Sequence, residues 1–100
     1  MDNSNIIRVV VFKDAELWVA QCLEYDIGAQ AENIDELNLR IEVVLDAEMK
    51  ESLERHGKPF AGIDPAPERF HLMWDRRARS VKFSPRTSFT ERSLDFALVA

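Results

Sequence analysis

Three observations predict an α+β fold, ordered βββα(α)β, with a small antiparallel or mixed sheet packed on one long helix. Two adjacent β-branched and apolar runs, separated by a short polar turn, open the chain. A long amphipathic stretch with a start signal before it and a stop signal after it follows, and the chain closes on a last apolar run. One hundred residues allow one core and no second domain. Apolar residues at 46% and charged residues at 31% predict a folded chain rather than a disordered one. Three glycines and four prolines exclude collagen-like and low-complexity readings.

The first strand is Asn5 to Lys13, where five of nine residues are β-branched and apolar. Period-two alternation sets Ile7, Val9 and Val11 on one face and Ile6, Val10 and Phe12 on the other. Asp14-Ala15 makes a tight turn, and Glu16 to Glu24 returns as the second strand of a hairpin. Its faces carry Trp18, Ala20 and Cys22 against Leu17, Val19 and Leu23. Tyr25-Asp26 turns a corner into a short third strand over Ile27 to Ala31. Both faces of this sheet are apolar, whereas a sheet wet on one side alternates apolar with polar. Each face therefore needs a cover.

Asn33 with Glu36 three residues on has the form of a capping box. Behind it Leu37, Ile41, Val44, Leu45, Met49 and Leu53 recur at helical spacing, while Glu42, Asp46, Lys50, Glu51 and Glu54 fall largely on the opposite side. His56-Gly57 and Lys58-Pro59 supply the stop. This helix covers one face.

Residues 57–66 read as a linker. In Pro67 to Ala78, Phe70, Met73, Trp74 and Arg77 fit a helix, and Phe70, Leu72 and Trp74 fit a strand. Proline and acid at the start with arginines at the end favour the helix. Residues 80–93 are polar and turn-rich. Leu94 to Val99 reads as a last strand docked into the sheet, since a loose apolar terminus invites aggregation. The whole is one domain: a core over 5–56, then linker, short helix and basic segment over 57–93, then the strand 94–99.

Charge divides unevenly. Residues 1–56 hold thirteen acids and five bases, whereas 57–100 hold five acids and eight bases. Arg76, Arg77, Arg79, Lys82, Arg86 and Arg92 cluster within 76–92 against Glu91 alone. Such asymmetry serves internal pairing, a solvated surface or an acidic partner.

The segment Trp18-Val19-Ala20-Gln21-Cys22-Leu23-Glu24-Tyr25-Asp26, together with the hairpin, short third strand and capped helix around it, resembles the HicB-like antitoxin family. The likeness covers residues 5–56 and extends to the C-terminal strand. It implies a βββαβ unit similar to part of the ribonuclease H fold. It also implies a binding protein that neutralises a small toxin ribonuclease. Two departures stand out: Ala31 lies where the family usually has glycine, and residues 57–100 show no recognisable DNA-reading region.

Catalytic chemistry finds little footing. Two-metal phosphoester hydrolysis needs converging carboxylates; the ribonuclease H likeness implies one of them from the middle of the first strand, and Ile6 to Phe12 contains no acid. Asp14, Glu24 and Asp26 read as turn and corner residues. Cys22 reads as a small core residue, with nothing nearby to lower its pKa. His56 and His71 have no second ligand at helical spacing. Gly28, Gly57 and Gly62 are too scattered for a phosphate loop. No metal and no cofactor are expected.

Trp18 reads as a core anchor. Phe70, Met73, Trp74, Arg76 and Arg77 are the candidate partner-binding residues, because aromatics beside arginines are interface material. The expected function is non-enzymatic protein binding to a small basic toxin. The alternatives are a DNA-binding regulator using 76–92, disfavoured by an acidic net charge of −5, and an orphan domain of this type. A homodimer is expected from the sheet's second apolar face, unless the second helix covers it. The expected address is the cytoplasm: no run approaches the ~18 apolar residues of a membrane span, and Met1-Asp2-Asn3-Ser4-Asn5 is no signal peptide.

Overall fold

The computed structural model describes residues 6–76, 79–81 and 93–99. Strands β1 (Ile6–Asp14), β2 (Leu17–Cys22) and β3 (Gly28–Ala31) are followed by helices α1 (Ile34–His56) and α2 (Glu68–Asp75), then strands β4 (Arg79–Val81) and β5 (Ser93–Leu98). They build one mixed α+β sheet of four longer strands and the three-residue β4, in the order β3-β2-β1-β5-β4. The hairpin pairs as expected, Val9 opposite Cys22 through Asp14 opposite Leu17. β5 lies parallel to β1, from Ile6 beside Ser93 to Val11 beside Leu98. β1 is thus the central strand. Its apolar composition suits a position with a strand on either side and a helix layer on either face.

The helix layers are staggered. α1 packs chiefly on β3 and then on β2, whereas α2 packs on β1. Under α1, Ile7, Val9, Val11, Ala20, Cys22 and Phe96 of the sheet meet Leu37, Ile41, Leu45 and Met49 of the helix. Fully buried side chains of this size stabilise by about 1.5–3 kcal/mol each before entropy is counted. On the second face Val10, Leu23 and Ala97 meet Ala66, Phe70 and Trp74, with Phe12, Met73 and Val99 at the margin.

Within the chain, then, α2 covers the second face, which removes the uncovered-face argument for a dimer. Val10 is buried and Phe12 stacks on Phe70 at 6.2 Å.

The caps of α1 form as read: the Asn33 side chain accepts from the Glu36 N–H at 2.8 Å, and Gly57 takes the left-handed conformation at φ 74°. Two assignments on this helix are corrected. Glu42, placed on the polar face, is buried at 1% exposure, and Leu53, placed in the core, is 42% exposed. Because α1 lies over β3, the flank carrying Asn38, Glu42 and Met49 turns toward the middle of the sheet, where a side chain is buried whatever its polarity. In the last turn Ser52 faces inward instead, its hydroxyl accepting the Phe60 N–H at 2.6 Å. Phe60 then fills the core at that level, stacked on Tyr25 at 4.5 Å.

The linker is integrated into the fold. The Asp26 N–H donates to the Asp64 carbonyl at 2.7 Å, and the Ala66 N–H to the Leu23 carbonyl at 3.0 Å. The second helix ends at Asp75 rather than Ala78. β4 overlaps the start of the stretch read as turns, because β5 offers it an antiparallel partner that local sequence cannot reveal. The rest of that stretch, 82–92, lies outside the described residues. Among the described residues no helix is long and apolar enough to cross a membrane.

Candidate functional site

The partner-binding residues expected on α2 turn inward. Phe70 and Trp74 are 9% and 7% exposed and form the core of the second face, so neither is an exposed aromatic anchor. Burying those rings is what makes α2 the cover. Met73 is half-buried at the margin, and Arg76 is exposed just past the helix end. Arg77 lies outside the described residues, as do Lys82, Arg86 and Arg92 of the basic segment. Besides the charged Glu68, Arg69 and Asp75, α2 exposes one large aliphatic side chain, Leu72 at 45%.

Two acids stand at the sheet end where β1 and β5 begin. Ile6, Arg8, Glu24 and Asp95 line a cavity of about 400 Å³. Glu24 accepts from the Arg8 backbone N–H at 2.6 Å and from Arg8 Nε at 2.7 Å. The guanidinium also lies 5.7 Å from the centre of the Trp74 ring. A base held by the nearest carboxylate thus stands near the start of β1. Asp26 is engaged at the corner, accepting from Gln21 Nε2 at 3.0 Å. Burial pushes the Cys22 thiol well above its ordinary pKa, and the Glu24 charge adds to the shift. It is therefore held as the unreactive thiol. Among the described residues no three His, Cys, Asp or Glu side chains gather into a metal-holding group.

A different surface stands out around β3. Among the described residues no strand lies beyond it, so one edge of the sheet is open. The Cys22 N–H donates to the Ile27 carbonyl at 2.9 Å, which makes that facing pair a hydrogen-bonded one. Such pairs alternate along an antiparallel ladder. Ala29 and Ala31 therefore bond to β2, whereas Gly28 and Gln30 turn their N–H and C=O groups outward. The outward Gln30 carbonyl accepts from Arg40 Nη1 at 2.9 Å, and Arg40 Nη2 is bridged to Glu36 at 2.5 Å.

Two shallow grooves meet at this arginine. One, of about 360 Å³, is lined by Ala29, Gln30, Leu39, Arg40, Val43 and Val44 and is largely apolar. The other, of about 310 Å³, is lined by Leu17, Gln30, Ala31, Glu32, Glu36 and Arg40. Val43, 57% exposed, is the most exposed large aliphatic side chain among the described residues. From Glu32 to His56 the chain carries eight acids against three lysines and arginines. The open edge and the acidic helix thus lie side by side.

Reading for core residues passed over Leu39 and Val43, yet they carried a signal. Both are apolar and fall off the stripe that Leu37, Ile41, Leu45 and Met49 define, a surplus that a purely packing helix does not need. Gln30 and Arg40 carried none, since their roles arise from pairing across ten residues. No family model, curated protein or solved structure matches the chain.

Proposed function

We propose that the chain is a non-enzymatic protein-binding module of the kind the HicB-like antitoxins represent, neutralising a small basic ribonuclease by covering it. The observation that carries this reading is the acidic α1 lying directly beside the open β3 edge. A surface of one sign steers a partner of the other and raises the association rate, while the apolar groove supplies contact area once the partner arrives. The order of elements supports the same reading: an antiparallel β1-β2-β3, then α1, with a last strand parallel to β1, is the βββαβ arrangement expected from the resemblance. The Arg8–Glu24 pairing agrees with a binding role, because it commits the central strand's polar position to an ion pair.

The test uses the protein encoded in the neighbouring reading frame. RNA cleavage by that protein is measured alone and with increasing amounts of this chain, at low and high salt. The expected result is stoichiometric inhibition through a stable complex whose association slows as salt rises. A neighbouring product that neither cleaves RNA nor forms a complex with this chain sinks the reading.

A further inference from the structure

We infer that the β3 edge accepts an extended segment of a basic partner as a further strand, with an apolar side chain beside Ala29 and a basic one two residues away, beside Ala31. This rests on the binding-module reading and names the surface that reading uses.

Strand addition needs outward backbone groups on an open edge and a place for each of the two rows of side chains that an extended peptide presents. Gly28 and Gln30 supply the groups, on the ladder fixed by Cys22 and Ile27. In an added strand, the row pointing to the α1 side falls beside Ala29, into the groove with Leu39, Val43 and Val44. At the other end of β3 the second groove carries the carboxylates of Glu32 and Glu36, which suit a basic side chain. Both grooves lie on the row shared by Ala29 and Ala31, so an apolar side chain and, two residues on, a basic one together specify the occupant.

Arg40 is the group that such a strand must replace. Its Nη1 fills the acceptor position on the Gln30 carbonyl that an incoming N–H would take. A capped carbonyl on a four-residue strand guards the edge against indiscriminate pairing. Arg40 is half in solvent and bridged to Glu36, so it can swing aside without disturbing the core.

The probe is a short end-blocked peptide carrying a valine and an arginine two residues apart, with a control of identical composition in which the two are adjacent and so fall on opposite rows. Binding is followed through the backbone amide signals of the intact protein. The spaced peptide should bind at least about tenfold tighter than the control. It should shift the signals of Gly28, Ala29, Gln30 and Ala31 and slow amide exchange at Gly28 and Gln30. Gln30→Pro removes an outward donor at an edge position that tolerates proline, and should abolish binding with the fold retained. Val43→Asp should weaken binding from the apolar groove without touching the backbone. Arg40→Ala should tighten it.

Equal binding of the two peptides overturns the inference, as does binding with no change at Gly28 to Ala31. Concentration-dependent shifts at those amides in the protein alone, with a dimer by light scattering, assign the edge to a second copy and overturn it too. Ribonuclease inhibition that survives Gln30→Pro and Val43→Asp removes this docking mode and leaves the binding-module reading in place. Peptide binding at the edge by a chain that inhibits no neighbouring nuclease does the reverse.

Discussion

The Glu24 carboxylate holds Arg8 at two points, one oxygen on the backbone N–H at 2.6 Å and the other on Nε at 2.7 Å. The contact spans sixteen residues and joins the loop after β2 to the central strand. It also keeps the guanidinium over Trp74, linking the sheet's polar end to α2. Glu24→Ala removes both acceptors. Since the two side chains are 39% and 27% exposed, the loss is expected at about 1–2 kcal/mol rather than the full value of a buried ion pair. A lowered urea midpoint at unchanged slope is the measurement.

Trp74 is the larger anchor of the same face. Trp74→Ala is expected to destabilise by about 3–5 kcal/mol, the usual range for emptying an aromatic core position. If α2 is the cover for Val10, Leu23 and Ala97, the variant should also bind a hydrophobic dye and associate in solution. A variant that is dye-negative and no more associated than the wild type, at wild-type stability, would show that the face needs no cover.

Cys22 gives a pH dependence. Its folded-state pKa lies above the ordinary thiol value of about 8.5, so above that pH the unfolded chain has lost the proton that the native chain keeps. The unfolded state then binds fewer protons, and stability falls as pH rises, by up to about 1.4 kcal/mol per pH unit from this group. Urea titrations at neutral and alkaline pH should show that slope, reduced in Cys22→Ala. A thiol reagent should modify Cys22 in urea and leave the native protein untouched.

The Ser52 hydroxyl accepts from the Phe60 N–H and lies within hydrogen-bond distance of the Glu48 and Met49 carbonyls, 2.8 and 3.0 Å away. Phe60 sits at φ 61°, a conformation costly for a non-glycine residue, and is held there by this bond and by the Tyr25 stack. Ser52→Ala leaves a buried N–H unsatisfied, at an expected cost of about 1–3 kcal/mol. Hydrogen exchange should locate the loss in residues 57–63 before the rest of the domain.

Local pattern alone determined the secondary structure near its own signals. The β-branched run of β1, the return of β2, the caps of α1 and the apolar end of the chain each depend on neighbours within a few residues, so they could be read in order. The need for a second cover also followed from sequence, because an alternating strand with two apolar faces cannot be half wet. Tertiary structure decided which surfaces remained exposed. Phe70 and Trp74 present the same residue types whether α2 faces solvent or sheet, and only the placement of α2 on β1 buried them. Glu42 is inside and Val43 outside because α1 lies over the edge strand rather than the middle of the sheet. The open edge with Arg40 across it exists because β5 pairs with β1, which leaves β3 at the rim. Strand order and helix placement are long-range choices, fixed by how all the apolar faces can be buried at once, and no short window of residues contains them.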